Sequence, residues 1–292
     1  MRILFTAVSL ALLTASCSTL QLAYNTADFF ITRYADDYLD LDGAQRRDWS
    51  PRLKAALERH RADELPYLAG FFEQVAQHAR TGFTRSNVDC LLDQFEALYQ
   101  RHAQIATATA APLLANLSPA QIDALAKTFA EEHEEDAAKA NAEDAARRAR
   151  KRAERYVDNL RWWFGELSSE QRGLVRDIAR RIPDTAPAWY AYRHAQREAL
   201  IALLRSDASA AAIEQFLAQW LVDFQDLPRA LANAQLALRE AFANLLLRLQ
   251  PTLSNDQRER LFGRLEGLQR DFMRLQRHPT VEQMHCAAPA ES

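Results

Sequence analysis

Four times the chain sets a leucine, a side chain able to cap a helix, and a glutamine three residues beyond the cap. The sites are Leu41-Asp42-Gly43-Ala44-Gln45, Leu117-Ser118-Pro119-Ala120-Gln121, Leu167-Ser168-Ser169-Glu170-Gln171 and Leu253-Ser254-Asn255-Asp256-Gln257. Each spells a capping box. The Asp or Ser oxygen accepts from the backbone N–H of the third helical residue, and the Gln there reaches back to the cap N–H. The leucine before each cap can act as a hydrophobic staple, with Ile122 as its partner at the second site. Asp42/Gln45, Ser118/Gln121, Ser168/Gln171 and Ser254/Gln257 therefore mark four helix starts of one kind.

The rest of the chain agrees. Only seven glycines occur in 292 residues, and Ala, Leu, Arg and Glu are abundant, which favours helices joined by short turns. Tyr24, Ala27, Ile31, Tyr34, Tyr38 and Leu41 recur at helical spacing and predict a helix over about 19–39. Helices are expected over about 42–62, then over 66–80 from Pro66. The next is expected from a cap at Ser86 or Asn87, with Val88, Leu91, Phe95, Leu98 and Ile105 on its core face. After Ser118 the pattern predicts one helix of more than 40 residues, to about residue 166. Its acids cluster at 131–144 and its bases at 147–161, an order that suits the helix dipole. Ala138, Ala142, Ala145, Ala149 and Ala153 give it a narrow seam for a neighbouring helix. Helices over about 169–181, 187–205, 209–250 and 255–277 complete the series, the third of them kinked or split at Pro228. The tail from Pro279 is expected to fray unless Cys286 ties it down. No segment shows strand alternation.

The order of parts repeats. A boxed helix, a Pro-started helix (Pro66, Pro187), a Ser-capped long helix (Ser86, Ser209) and a second boxed helix occur in each half. The expected fold is all-α: an elongated multi-helix bundle of two related helical halves, 41–130 and 167–278. A long charged helix over 131–166 joins them, an N-terminal helix over 17–40 precedes them, and a tail over 279–292 follows.

Met1-Arg2, the apolar run 3–13 and the small residues before Cys17 read as a signal peptide over 1–16, too short to span a membrane. Cys17 is then the first mature residue and the carrier of a lipid. The alternative is an ordinary secretory signal cut nearby, with Cys17 a plain thiol. More than one acyl chain on Cys17 is enough for stable anchoring. By analogy with Gram-negative lipoproteins, Ser18 points to the outer membrane, because an Asp there would favour inner-membrane retention. The protein would face the periplasm, where Cys90 and Cys286 suggest one disulfide, two unpaired thiols being the alternative.

The four boxes resemble the Leu-Thr-x-x-Gln motif of the Spy/CpxP periplasmic chaperones, with Ser or Asp in place of Thr. That resemblance implies an all-helical cradle for unfolded clients. A second set of residues is similar to an uncharacterised family of Gram-negative helical lipoproteins. It comprises Tyr24-Asn25, Asp36-Asp37-Tyr38-Leu39-Asp40-Leu41, Gln45, His60-Arg61 and Glu64-Leu65-Pro66. This likeness implies a fold and a location, and no established activity.

No catalytic constellation emerges. A formal net charge of −3 gives no argument for nucleic acid. His133 among its acids and the single Glu282-x-x-His285-Cys286 are poor metal sites, since a helical metal centre needs paired motifs. No metal, cofactor or catalytic residue is assigned. Asp36, Asp37, Asp40 and Asp42 form an acidic cluster; Asp42 is accounted for as a cap, and the cluster reads as ion-paired within the fold or as a docking patch. The expected role is non-enzymatic binding of a protein client or partner at the envelope, with Trp162, Trp163, Trp189 and Tyr190 as candidates for the binding face. The runner-up is a structural spacer, and an enzyme of unknown type is third.

Overall fold

A computed structural model describes residues 19–286, so Cys17 lies outside the described residues. Among these residues the chain forms twelve α-helices and no strand. They are α1 (Thr19–Asn25), α2 (Ala27–Leu39), α3 (Gly43–Asp63), α4 (Leu65–Thr81), α5 (Arg85–Leu114), α6 (Pro119–Ala142), α7 (Ala145–Phe164), α8 (Ser169–Arg181), α9 (Ala186–Arg205), α10 (Ala210–Leu221), α11 (Arg229–Leu249) and α12 (Asn255–Leu275). No helix among them is long and apolar enough to cross a membrane.

All four capping boxes close, at the starts of α3, α6, α8 and α12. A fifth, Thr84/Asn87, starts α5, so the cap there is Thr84 rather than Ser86 or Asn87. The expected helix over 19–39 is interrupted at Thr26 into α1 and α2. Pro228 does split the segment after Ser209, into α10 and α11.

The four glutamines do more than cap. Gln45 and Gln121 exchange amide hydrogen bonds at 2.9 and 2.8 Å. Gln171 and Gln257 do the same, both at 2.9 Å. Each Nε2 also donates to the carbonyl two residues before its partner's cap: Asn116, Asp40, Thr252 and Glu166, at 2.7 to 2.9 Å. Each Oε1 also accepts from its own cap N–H. Every donor and acceptor of the four side chains is used. The boxes therefore pin helix starts together in two matching pairs, α3 with α6 and α8 with α12.

The two repeats are interleaved rather than set end to end. On one side, α2 packs on α3 and α6, and α3 on α5; on the other, α7 packs on α8 and α12, and α8 on α11. The Pro-started helices cross over: α4 lies against α12, and α9 lies against α6. One core accordingly joins Leu41, Trp49, Leu53, Leu117 and Leu125 to Leu200, Leu204, Ile213 and Leu217. The other joins Ala76 to Val157, Phe164, Val175, Leu249, Leu261 and Leu265. Neither of the sequential halves 41–130 and 167–278 therefore closes its own core.

The single long charged helix does not form. Glu143 is extended and Asp144 caps a new helix, its carboxylate accepting from the Arg147 N–H at 2.6 Å. Arg148 donates to the Ala140 carbonyl in the last turn of α6 and to the Glu143 carbonyl just beyond it, and pairs with Asp184 at 2.7 Å. An Asp whose side chain satisfies an orphan N–H is a strong helix starter. The bend lets α6 lie on α9 while α7 lies on α8, which one straight rod could not do. Ala138, Ala142 and Ala145 consequently stay exposed, and of the alanine seam only Ala153 is buried.

The described part of the tail, residues 279–286, is tied down through Cys286. Residues 279–286 run as a strap across α4 and end in a disulfide between Cys286 and Cys90 of α5, with Cα atoms 5.4 Å apart. The Glu282 N–H donates to the Pro66 carbonyl at 3.1 Å. Gln74 and Gln94 both donate to the Met284 carbonyl, at 3.1 and 2.8 Å. Gly70 makes room for this crossing. A Cβ there would stand 2.0 Å from the Glu282 oxygen, well inside contact distance.

Candidate functional site

The middle of α5 belongs to neither core, although Val88, Leu91 and Leu98 are buried. Val88, Leu91, Phe95 and Leu98 follow one another at three- and four-residue spacing, so they share a face. Leu91 and Leu98 are 7% and 2% exposed, whereas Phe95 between them is 60% exposed. The apolar face of α5 thus has an opening at this waist, filled by the largest side chain of the stripe. Phe71 of α4 lies 6.4 Å from Phe95, ring to ring. Tyr99, one turn further along α5, stacks on Phe224 at 5.8 Å and 18°.

The far wall of this aromatic row is a constrained loop. Phe224 and Asp226, between α10 and α11, have φ of 50° and 58°, a region costly for a bulky side chain. The loop is held from three sides. Tyr99 Oη donates to the Leu221 carbonyl at 2.8 Å, and Tyr192 Oη donates to that of Gln225 at 3.3 Å. The Gln225 N–H bonds back to Gln219 at 2.8 Å. Further apolar side chains stand exposed on α11, where Leu238 and Phe242 share a face. Arg239 fastens that helix to α5 through Asp93 at 2.6 Å.

The aromatics singled out from sequence fall in two places. Trp162 and Trp163 meet edge to face at the end of α7. Trp163 packs on the second core, and Trp162 lies under Arg264. Trp189 and Tyr190 start α9, where Trp189 meets Tyr192 and Tyr190 meets Arg193. Asp184, just before α9, pairs with Arg148 near the start of α7. Trp162 is fourteen residues beyond Arg148 on α7, about 21 Å along the helix. These four side chains therefore do not form one face. Phe95 carried the right signal in the sequence, the apolar spacing of α5, but its exposure depends on what its neighbours leave uncovered.

Polar clusters join helices elsewhere. Tyr24 of α1 bonds His60 Nδ1 at 2.8 Å, and the His60 and His102 rings lie 4.9 Å apart. Arg101 holds the buried Glu64 carboxylate with two bonds, at 2.7 and 2.9 Å. Burial, then the neighbouring His102, lowers the His60 pKa to about 4, and burial lowers that of His102. On α6, His133 stacks on His194 of α9, with ring centroids 3.6 Å apart. Burial pushes the Glu132 carboxyl up, but hydrogen bonds from Tyr38 and Arg197 outweigh it and hold the group below its usual range. Asp36 is held down by Arg46 and also accepts from the Leu41 N–H, while Asp37 pairs with Arg33. Asp40 caps α2 in the left-handed conformation.

The histidine pair makes stability depend on pH. His60 carries fewer protons folded than unfolded between its ordinary pKa near 6.5 and its folded value of about 4. The stabilisation is complete above the upper limit and is lost as pH falls through this window. Discounted for partial exposure, the loss is about 2 kcal/mol. Urea unfolding at pH 7 and pH 4.5 should show the unaltered protein losing that much more stability than His60→Asn. Equal losses would contradict this account.

The clefts are shallow. One of about 290 Å³ is lined by Arg52, Ala56, Arg59, Thr109 and Pro112, and another of about 340 Å³ by Gln171, Leu174, Arg248 and Thr252. Among the described residues no group of three His, Cys, Asp or Glu could hold a metal ion.

No curated protein and no solved structure matches the chain. The model of a family of unknown function, DUF6279, matches residues 37–230, well over half of its length. That span takes in three of the four boxes and the aromatic waist, and the chain belongs to this family.

Proposed function

We propose that this chain is a lipid-anchored protein of the Gram-negative cell envelope that holds a protein client or partner at its apolar waist. It performs no chemistry on what it holds. The observation that carries this reading is Phe95, a large apolar side chain on a core-facing stripe that is left open to solvent. An apolar side chain this exposed favours a partner, and Tyr99, 40% exposed, with the half-buried rings of Phe71 and Phe224 continues the row across three elements. The likeness of the four boxes to those of the Spy/CpxP chaperones points the same way. Paired boxes stiffen the helix starts on either side of the waist and leave the waist free. The competing spacer role drew on an uninterrupted charged helix, and the bend at Glu143-Asp144 removes that support.

The test uses the chain begun at Ser18, which keeps every described element. It should suppress aggregation of a denatured model client at near-equal molar ratio, and Phe95→Ser should lose most of that effect. Suppression by both proteins alike would remove the waist as the site. Suppression by neither would remove the client-binding role.

A further inference from the structure

The N-terminal helices present a second apolar face, chemically distinct from the waist. Their inner side is fastened to the body. Gln21 donates to Asp271 at 2.9 Å, Tyr24 bonds His60, Tyr38 donates to Glu132, and Leu39 enters the first core. Their outer side carries Leu22, Ala23, Phe29, Phe30 and Tyr34, all exposed. Leu22 and Phe29, and Ala23 and Phe30, stand seven residues apart, and Tyr34 stands four beyond Phe30, so they fall on one broad side of the two helices. Leu22, Phe29, Phe30 and Tyr34 are each 60–65% exposed, and the Phe29 and Phe30 rings meet edge to face. The stripe runs about 18 Å from Leu22 to Tyr34 at about 1.5 Å per residue.

Its composition changes along its length. The end nearest Cys17 is apolar. Charge enters on α2, at Asp28 and then at the far end, where Arg33 pairs with the exposed Asp37. Lys54 of α3 flanks the stripe and lies 4.0 Å from Asp28, and Arg47 lies one heptad earlier on the same face of α3.

We propose that this face lies in the plane of the phospholipid surface, with Leu22, Phe29 and Phe30 in the boundary between headgroups and acyl chains. The inference rests on Cys17 bearing lipid. An acyl anchor two residues before Thr19 holds the start of α1 at the bilayer surface. A helix there with one apolar side and too little apolar length to cross lies flat. Tyr34 suits the polar edge of that layer, and Arg33, Arg47 and Lys54 suit phosphates. The anchor alone would leave the body free to tumble about its tether. The apolar face fixes one orientation.

The test places the photocrosslinker benzoylphenylalanine at position 30 of the full-length protein in a Gram-negative host. Position 95 is the comparison site, and acylation of Cys17 is read by mass spectrometry. Illumination should yield a phospholipid adduct at position 30 and none at position 95. Acylated Cys17 with no lipid adduct at position 30, or with a protein adduct there, overturns this proposal and leaves the anchor intact. Unacylated Cys17 overturns the anchor and the proposal together.

Discussion

Cys286→Ala is expected to lower the unfolding free energy by about 3–5 kcal/mol and to free the tail for proteolysis. The bond closes a loop with a sequence separation of 196 residues. In the chain-entropy account the constraint on the unfolded state grows with the logarithm of loop length, reaching about 4.7 kcal/mol near 100 residues. Measured losses fall below such estimates when the native side is strained or the unfolded chain keeps structure, hence the lower limit. The folded state also contributes. With Cys286 released, the strap is held by the Glu282–Pro66 bond, the Gln74 and Gln94 bonds to Met284, and the fit over Gly70. Each is worth about 1 kcal/mol in a partly exposed setting. The comparison that isolates the bond is Cys90→Ala with Cys286→Ala. Since both remove one interaction, the double variant should lose little more than either single. Midpoints of guanidinium unfolding without reductant read the effect. An unchanged midpoint for Cys286→Ala, or additive losses, would show that the bond carries no stability.

What could be read from the chain alone follows from the range over which each signal acts. Helix starts are local, because a cap and its N3 partner are three residues apart, and all four boxes closed where they were placed. The all-α class follows from those starts together with scarce glycine and helical spacing. The partners of the boxes were not legible. Gln45 meets Gln121 across 76 residues and Gln171 meets Gln257 across 86, and nothing in five residues of sequence says which box joins which. The crossing of α4 and α9 between repeats is likewise long-range. The break at Glu143-Asp144 was missed because strong helix formers on both sides outweighed one Asp, whose capping role shows only once Arg148 and Asp184 fix the turn. The residues Tyr24-Asn25, His60-Arg61 and Glu64 form a fastening. Tyr24 meets His60, Arg61 donates to Asn25, and Glu64 holds Arg101, so those residues lock α1 and α5 to α3. Phe95 was assigned to a core face, and its face is right. Its openness depends on what the neighbouring elements leave uncovered, which periodicity cannot register.

The largest effect of a single side chain is expected at Gln171. Gln171 and Gln257 are 2% and 9% exposed, whereas Gln45 and Gln121 are half-buried. Gln171→Leu keeps roughly the same volume and removes an amide that serves four partners. The Ser168 N–H, the Thr252 carbonyl and both ends of the Gln257 amide each lose a bond. Leaving a buried polar group unmet costs about 1–3 kcal/mol, and partial relaxation of the loops limits the sum to about 3–5 kcal/mol. Gln45→Leu removes the matching bonds where water can replace them, so its cost should be nearer about 1–2 kcal/mol. The contrast separates burial from motif, since the hydrogen-bond pattern is the same in both pairs. In the double variant Gln171→Leu with Gln257→Leu, the amide-to-amide bonds disappear from both sides at once and no side-chain amide is left unmet, while the Ser168 and Ser254 N–H and the Thr252 and Glu166 carbonyls lose the bonds they lose in the single variants. Its cost should therefore be clearly less than the sum of the two single variants. Urea unfolding of the four proteins completes the cycle. If Gln45→Leu costs as much as Gln171→Leu, or if the double variant is additive, the reciprocal amide pair is not the unit that holds α8 to α12.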